Sequence, residues 1–198
     1  SLLFLNNISF SQNLLDTVLD TDSTKNTIND FRLKSTFGNE VSLSDYPEAR
    51  GFIIIFTSNH CPFAKLYPAR FNELYETYLP LQIPLLAIRS TQPELMPDDA
   101  FEKMIRLSKQ QHLKYPFLAD DKQEVAKNFH ADKTPHAFVI WKENNQWVIK
   151  YSGAIDDNGA EPEKVTHSYV KEAIDALLTG KEVAIPETKT VGCQIKFR

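Results

Sequence analysis

The sequence is poor in cysteine, and it lacks both a block of basic residues and a long apolar run. Cys61 and Cys193 are its only two cysteines, too few for a disulfide-stapled scaffold or a four-cysteine metal site. Lys and Arg total 22 against 26 Asp and Glu, and the two signs are interspersed, which argues against nucleic acid as a partner. No apolar stretch reaches the length of a transmembrane helix, so no membrane span is expected.

A length of 198 residues suits one domain with an ordinary hydrophobic core. We divide the chain into an N-terminal extension, residues 1–29, and one α/β domain, residues 30–198. The extension has two interpretations. One is the remnant of a secretory signal, with Leu2 to Leu5 as its apolar part and Ser9 and Ser11 as the small residues of a cleavage site. In that case the protein would be exported or periplasmic. Otherwise the segment is a short amphipathic helix on a cytoplasmic protein.

The most informative stretch is Phe52 to Phe56, an unbroken aromatic and β-branched run that predicts a strand buried on both faces. Cys61 follows shortly after it, and Pro62 suits the first position of a helix. Cys61 is therefore predicted at a helix N-cap, where free N–H groups and the helix dipole lower the pKa of a thiol from about 8.5. This placement predicts a nucleophile, whereas the alternative is an inert buried thiol. The predicted helix carries apolar residues at helical spacing: Phe63, Tyr67, Phe71, Leu74 and Tyr78.

The rest of the chain alternates between strand and helix patterns. Ile83 to Ile88 is predicted as a second buried strand, and the strand–helix–strand order requires it to run parallel to the first. Hairpins are predicted over residues 31–43 and 137–151, each with a turn of glycine or asparagine. Further helices are expected over residues 101–107, with Asp98 or Asp99 as its cap, from Asp120 to Phe129, and from Glu163 to Leu178.

Three segments carry a resemblance to a known group. Residues 56–71 (FTSNHCPFAKLYPARF) resemble the active-site segment of the thioredoxin-like superfamily. They are most similar to redoxins of the alkyl hydroperoxide reductase/thiol-specific antioxidant (AhpC/TSA) group that carry an Asn-His-Cys-Pro motif. Residues 115–140 and 151–157 are similar to the second half of the same proteins. The resemblance implies a thioredoxin-like α/β fold, a central mixed sheet flanked by helices with an N-terminal hairpin and an inserted strand–helix segment.

The resemblance also assigns roles to residues of this chain. It implies that Pro135 is a cis-proline whose loop abuts Cys61. Members of the group often end in a Gly-Cys-x-Ile-Lys stretch, matched by residues 192–196, so Cys193 is implied as the resolving cysteine; alternatively it packs under the last helix. No cofactor is implied. The resemblance also implies that Thr134 and Pro135 contact the substrate, and we predict Asn59, His60, Pro62 and Lys133 as further substrate-contacting positions.

Several positions depart from the patterns of related proteins. Ala64 occupies the place of the second cysteine in Cys-x-x-Cys, so dithiol exchange within that motif is excluded. Ser58 and Ile54 stand where peroxiredoxins have threonine and proline. Lys133 replaces a cysteine that often precedes the Thr-Pro pair. Its ammonium, like a protonated His60, either stabilises a Cys61 thiolate or simply faces solvent.

Three functions are compatible with these features. The first is a thiol–disulfide oxidoreductase using both cysteines, and the second is a one-cysteine, peroxiredoxin-like antioxidant. The third is a binding module without catalysis. For the two redox functions, the expected partners are an external thiol or thioredoxin-like reductant and a small peroxide or protein disulfide as substrate. His60, His130 and His136 lack the paired spacing of metal ligands, so no metal is expected.

Overall fold

The computed structural model describes residues 26–198 as a mixed β-sheet flanked by four α-helices. The strands are β1 (Thr27–Ile28), β2 (Arg32–Ser35), β3 (Glu40–Ser42), β4 (Gly51–Phe56), β5 (Leu85–Arg89), β6 (Phe117–Ala119), β7 (Lys133–Thr134), β8 (His136–Glu143), β9 (Gln146–Gly153) and β10 (Cys193–Gln194). The helices are α1 (Pro68–Tyr78), α2 (Phe101–Gln110), α3 (Glu124–Phe129) and α4 (Tyr169–Leu178). The predicted signal-like segment lies outside the described residues.

Eight strands form the main sheet in the order β1-β9-β8-β4-β5-β6-β2-β3, and β10 pairs with β7 in a separate two-stranded sheet. The predicted parallel pair is confirmed, since β4 runs parallel to β5. On its other side β4 pairs antiparallel with β8 of the predicted C-terminal hairpin. Asn144 and Asn145 both have positive φ at the hairpin turn, the conformation that a two-residue turn of this kind requires. The predicted α/β fold with a central mixed sheet is confirmed.

Strand β4 is buried on both faces, as predicted. Phe52 to Phe56 have no exposed surface. Ile53 and Ile55 pack in one core with residues of α1 and α4, while the alternate residues Phe52, Ile54 and Phe56 pack in a second core with residues of α3. Because both faces are covered, the carboxyl end of β4 is held firmly, and this is the end from which the Cys61 loop departs. Among the described residues no helix is long and apolar enough to cross a bilayer.

The helix after Cys61 begins later than predicted. Residues 64–66 form a single 3₁₀ turn, and α1 starts at Pro68, so Pro62 is not the first residue of a continuous helix. The reason is the second proline: Pro68 lacks an N–H and its ring would collide with the carbonyl of residue 64, so it starts a new helix instead of continuing one. Cys61 therefore lies in the loop before this turn, and its carbonyl accepts from Lys65 N at 3.1 Å.

Three further helix details differ from the predictions: the start of α4, the start of α3, which is Glu124 instead of Asp120, and the N-cap of α2. Helix α4 starts at Tyr169 instead of Glu163, because the carboxylate of Asp157 binds the backbone N–H and hydroxyl of Thr166 and keeps that segment out of the helix. Helix α2 has Ala100 as its N-cap, and neither Asp98 nor Asp99 caps it. The Asp99 carboxylate is directed instead at the loop that precedes Cys61.

Candidate redox site

The Cys61 side chain is fully buried where β4 ends, facing the loop that joins β7 to β8. Its Sγ lies 3.0 Å from the carbonyl oxygen of Thr134, to which the thiol donates. The hydroxyls of Ser58 and Thr134 are 3.0 Å apart and tie the two loops together. The Thr134–Pro135 peptide bond is cis, as the resemblance implies. Cys61, Thr134 and Pro135, predicted from separate parts of the sequence, therefore lie together.

Cys193 lies beside Cys61, not under the last helix. In the antiparallel β7–β10 pair, Cys193 lies opposite Thr134. The carbonyl oxygen of Thr134 accepts the hydrogen bond from the Cys61 thiol. Both the side chain and the backbone of Cys193 lie close enough to Cys61 to lower the pKa of its thiol. Both cysteines are free thiols, Cys61 buried and Cys193 half-buried. The structure thus brings both cysteines of the chain to the same residue, Thr134.

The segment that carries Cys193, which we call the tail (residues 186–198), is held on both sides of that residue. Before it, Thr188 N donates to Ser152 O at 3.0 Å; after it, Ile195 N donates to Asp132 O at 2.8 Å. The Ile195 side chain is buried in the core that contains α3 residues. Gly192 allows a very close approach, because a Cβ built there would lie 2.1 Å from the Thr134 carbonyl oxygen.

The surroundings of Cys61 favour its ionised form over that of Cys193. Burial raises the pKa of the Cys61 thiol, but hydrogen bonds outweigh it and lower the pKa from its ordinary value. They come from the Cys193 side chain, the backbone N–H groups of Ala64 and Cys193, and the Thr134 side chain. The Thr134 carbonyl accepts from the Cys61 thiol and so favours its neutral form. The several donors that stabilise the thiolate outweigh this single hydrogen bond. Burial and the neighbouring Cys61 sulfur raise the pKa of Cys193, so Cys61 is the thiol that ionises first.

Asn59 and His60 are held by the Asp99 carboxylate, which the sequence did not suggest. The buried Asp99 accepts the backbone N–H of Asn59 at 2.7 Å and that of His60 at 3.2 Å, while its second oxygen lies 2.7 Å from His60 Nδ1. The Asn59 amide adds a bond to the carbonyl of Asp98 at 3.1 Å. The His60 ring is thus directed at Asp99, and these contacts fix the two residues that lead into Cys61.

The remaining predicted positions lie nearby with different contacts. The Lys133 ammonium reaches the carbonyl of Thr190 in the tail at 3.4 Å, so it contacts the tail backbone. Pro62 is exposed beside Cys61, whereas Pro135 is buried. Pro135 also lines a pocket of about 510 Å³. Exposed apolar side chains border this pocket: Phe63, Leu66 and Val191.

No group of three or more potential metal ligands occurs within residues 26–198. His136, one of the histidines considered above, is buried against Phe138 with a ring-centroid distance of 4.3 Å. Its Nε2 pairs with the Ser152 hydroxyl at 3.0 Å. Burial lowers the pKa of His136 from 6.5 to about 4, against the opposing effect of the Asp132 carboxylate 3.5 Å from Nδ1. His136 is therefore neutral at pH 7.

This neutral histidine predicts an acid-dependent loss of stability. Because its pKa is lower in the folded than in the unfolded chain, its contribution is complete above about pH 6.5 and is lost as the pH falls through about 4. The shift corresponds to about 3 kcal/mol of unfolding free energy. Denaturant unfolding at pH 7 and pH 4 should show that His136→Gln loses less stability on acidification than wild type by about this amount. Equal losses in the two proteins would contradict the assignment.

The arrangement defines a class of protein. A buried strand that leads to a cysteine loop and an α-helix, opposite a cis-proline loop on a mixed sheet, is the thioredoxin-like fold. A sequence profile of the AhpC/TSA family matches residues 24–156. The chain therefore belongs to the AhpC/TSA family, whose members suggest a thiol-redox function. A comparison with curated proteins finds no match.

Solved structures agree with the assignment of the thioredoxin-like fold. An uncharacterized conserved protein from Geobacillus kaustophilus is 31% identical, with a TM-score of 0.78 over 87% of this chain and 90% of the other. A hypothetical protein from Sinorhizobium meliloti 1021 is 28% identical, with a TM-score of 0.78 over 87% and 93%. Peroxidoxin BcpB from Mycobacterium tuberculosis is 18% identical, with a TM-score of 0.56 over 77% and 94%, and shows similarity of fold only.

Proposed function

We propose that this protein is a two-cysteine thiol-redox enzyme in which Cys61 and Cys193 alternate between a dithiol and an intramolecular disulfide. One observation carries the proposal: Cys193 lies opposite Thr134 in the β7–β10 pair, and the carbonyl oxygen of the same Thr134 accepts the Cys61 thiol at 3.0 Å. Two cysteines 132 positions apart (193 minus 61) in the sequence are thus adjacent in a family that suggests thiol chemistry. A binding module has no need of such a contact.

Cys61 is the nucleophile because its thiol ionises first. With a peroxide, the Cys61 thiolate attacks one oxygen and releases an alcohol or water, leaving a sulfenic acid. The Cys193 sulfur then attacks the sulfenic sulfur, which expels water and forms the disulfide. With a disulfide substrate, Cys61 forms a mixed disulfide that Cys193 resolves, which releases the substrate as a dithiol or two thiols. Both routes remove two electrons from the protein, and an external thiol returns them.

The roles of the other predicted positions follow from their contacts. The Thr134 carbonyl accepts a hydrogen bond from the Cys61 thiol, and Thr134 lies opposite Cys193 in the β7–β10 pair, so Thr134 is proposed to align the two sulfurs. Pro135 lines the pocket next to this pair, which makes the pocket the proposed site for the substrate. Asn59 and His60 are proposed to position the Cys61 loop through Asp99, and Lys133 is proposed to position the tail.

Mild oxidation tests the proposal. One equivalent of peroxide or of a small disulfide should consume both thiols of wild type within a monomer, with peptide mapping showing a Cys61–Cys193 bond. Cys193→Ser should stop at a sulfenic acid or a mixed disulfide on Cys61, and Cys61→Ser should react slowly. If the Cys193 thiol survives in wild type while Cys61 is oxidised, the one-cysteine peroxidase is the better description. Two unreactive thiols would favour the binding module.

A further inference from the structure

A second depression in the surface lies beside the Cys61 loop and shares no lining residue with the pocket at Pro135. Its volume is about 420 Å³, and its charged lining residues are Lys65, Lys103, Arg106 and Asp98. We call it the basic groove. The chain as a whole has a net charge of −4, so a concave surface with three cationic side chains and one carboxylate runs against the overall charge.

Most of the positive charge in the basic groove is not neutralised by the protein. Lys103 pairs with Asp98 at 2.6 Å, whereas Lys65 and Arg106 are exposed and form no ion pair within residues 26–198. The hydrogen bond and charge of Lys103, together with the charge of Lys65, lower the pKa of Asp98, so both ammonium groups share this one carboxylate. The groove therefore keeps a net positive charge, which suits an anionic ligand.

The same groove also presents a buried acceptor. Asn59 lines it and is only 9% exposed. Its Nδ2 donates to the carbonyl of Asp98 at 3.1 Å, but its Oδ1 is buried without a hydrogen-bond partner among the described residues. An unpartnered buried acceptor is costly unless a bound molecule supplies a donor. The ligand that fits this groove thus carries an N–H group as well as a negative charge.

The basic groove lies within reach of both sulfurs of the proposed disulfide. Asn59 is two positions before Cys61, which limits the distance between their Cα atoms to about 8 Å. Asp99, the neighbour of Asp98, is close enough to Cys193 to contribute to its raised pKa, after burial and the Cys61 sulfur. Three residues of extended chain span about 10 Å, so a ligand of that size held in the groove reaches the disulfide. The groove volume is also in the range of small-molecule sites, about 300–1,000 Å³.

We propose that the basic groove binds the carboxylates of a small peptide thiol such as glutathione, and so selects an anionic low-molecular-weight thiol as the reductant of the Cys61–Cys193 disulfide. This role rests on the two-cysteine function proposed above. The ammonium of Lys65 and the guanidinium of Arg106 bind the carboxylates through charge-assisted hydrogen bonds. The Asn59 Oδ1 accepts an N–H from the ammonium or an amide of the same molecule.

Two molecules of the thiol complete the reduction. The thiolate of the first bonds to one sulfur of the protein disulfide, and the other protein sulfur departs as a thiolate with the electron pair of the broken bond. The thiolate of the second attacks the sulfur of the first, which releases the oxidised thiol RSSR and the second protein thiolate. The two protons of the reacting thiols end on the two protein sulfurs, and two electrons have passed to the protein.

The test compares thiols that differ in charge on the oxidised full-length protein. The disulfide is formed with peroxide, then treated at low ionic strength and pH 7 with glutathione, with glutathione ethyl ester, which lacks one carboxylate, or with uncharged 2-mercaptoethanol. Acid quenching, alkylation and mass analysis give the rate of reduction. Lys65→Gln/Arg106→Gln should lower the rate with glutathione by about tenfold and the rate with the ester by less, because electrostatic attraction commonly raises association by at least that factor. The rate with 2-mercaptoethanol should not change.

Lys109→Gln/Lys181→Gln is the matched control, since it removes the same charge from exposed positions outside the groove and should leave all three rates at the wild-type values. Raising the ionic strength to about 1 M, where the Debye length is about 3 Å, should remove most of the advantage of glutathione in wild type.

Each other outcome identifies what is wrong. If Lys65→Gln/Arg106→Gln slows glutathione and 2-mercaptoethanol equally, the two cations act on the disulfide and not on the carboxylates of the thiol, and the groove is not a reductant site. An unchanged rate with glutathione also overturns the proposal. If the variant slows reduction by a thioredoxin but not by glutathione, the groove serves an acidic protein surface and the small-thiol assignment is wrong. In all these cases the two-cysteine cycle survives, whereas failure to form the Cys61–Cys193 bond would overturn the cycle and the groove's role together.

Discussion

Gly192→Ala is expected to slow formation of the Cys61–Cys193 disulfide by about 100-fold, the effect of displacing reacting groups by about 1 Å. A Cβ at this position would lie 2.1 Å from the carbonyl oxygen of Thr134 and 2.7 Å from its carbonyl carbon. These are backbone atoms of the loop that faces Cys61, and they cannot rotate away as the end of a side chain can. Strand β10 must therefore move away from β7 and take Cys193 with it.

The measurement is the rate at which the Cys193 thiol disappears after peroxide has converted Cys61 to a sulfenic acid, followed by quenching and mass analysis. Gly38→Ala is a matched control: Gly38 has a φ of +92° and open space around its Cα, so alanine there strains the backbone without pushing on any neighbour. That variant should lose some stability and keep the wild-type rate. A Gly192→Ala protein with an unchanged rate would show that the β7–β10 contact does not align the sulfurs.

The fold was predictable where local pattern and burial agree. The unbroken apolar run from Phe52 to Phe56 is typical of a strand covered on both faces, and β4 is such a strand. The asparagine pair at residues 144–145 marks a turn through its tolerance of positive φ. The start of α1 was not predicted, because the apolar spacing continues through Pro68 although the backbone does not.

The site was predictable only in part, because its contacts join residues far apart in the sequence. The position of Cys61 after a buried strand is a local signal, and so is the Thr-Pro pair. The resemblance of residues 192–196 implied that Cys193 lies near Cys61, but the residues themselves left this open, because it depends on the path of the chain after α4. Asp99 was interpreted as a helix cap because aspartate often serves as one. Its burial and its target, the Asn59–His60 backbone, are decided by tertiary packing.

Asp99→Ala is expected to lower the free energy of unfolding by about 3 kcal/mol or more, since each buried donor left without a partner costs about 1–3 kcal/mol. The carboxylate is fully buried and serves two backbone N–H groups and the Nδ1 of His60. Urea unfolding at pH 7 measures the loss. Alanine is too short to fill the space of the carboxylate and accepts no hydrogen bond. The backbone N–H groups of Asn59 and His60 therefore lose their acceptor.

Asp98→Ala provides the matched control, because the adjacent carboxylate is 65% exposed and pairs with the exposed Lys103 at 2.6 Å. Exposed ion pairs contribute about 0–1 kcal/mol, so this variant should remain close to wild type. Asp99→Asn should fall between the two, because its amide oxygen can still accept the backbone N–H groups while its NH₂ can donate to Nδ1 of a neutral His60. If Asp99→Ala and Asp98→Ala lose the same stability, the buried carboxylate does not anchor the loop. A large loss for alanine with a small one for asparagine would show that acceptance of the Asn59 and His60 N–H groups, more than the negative charge, holds Cys61 in place.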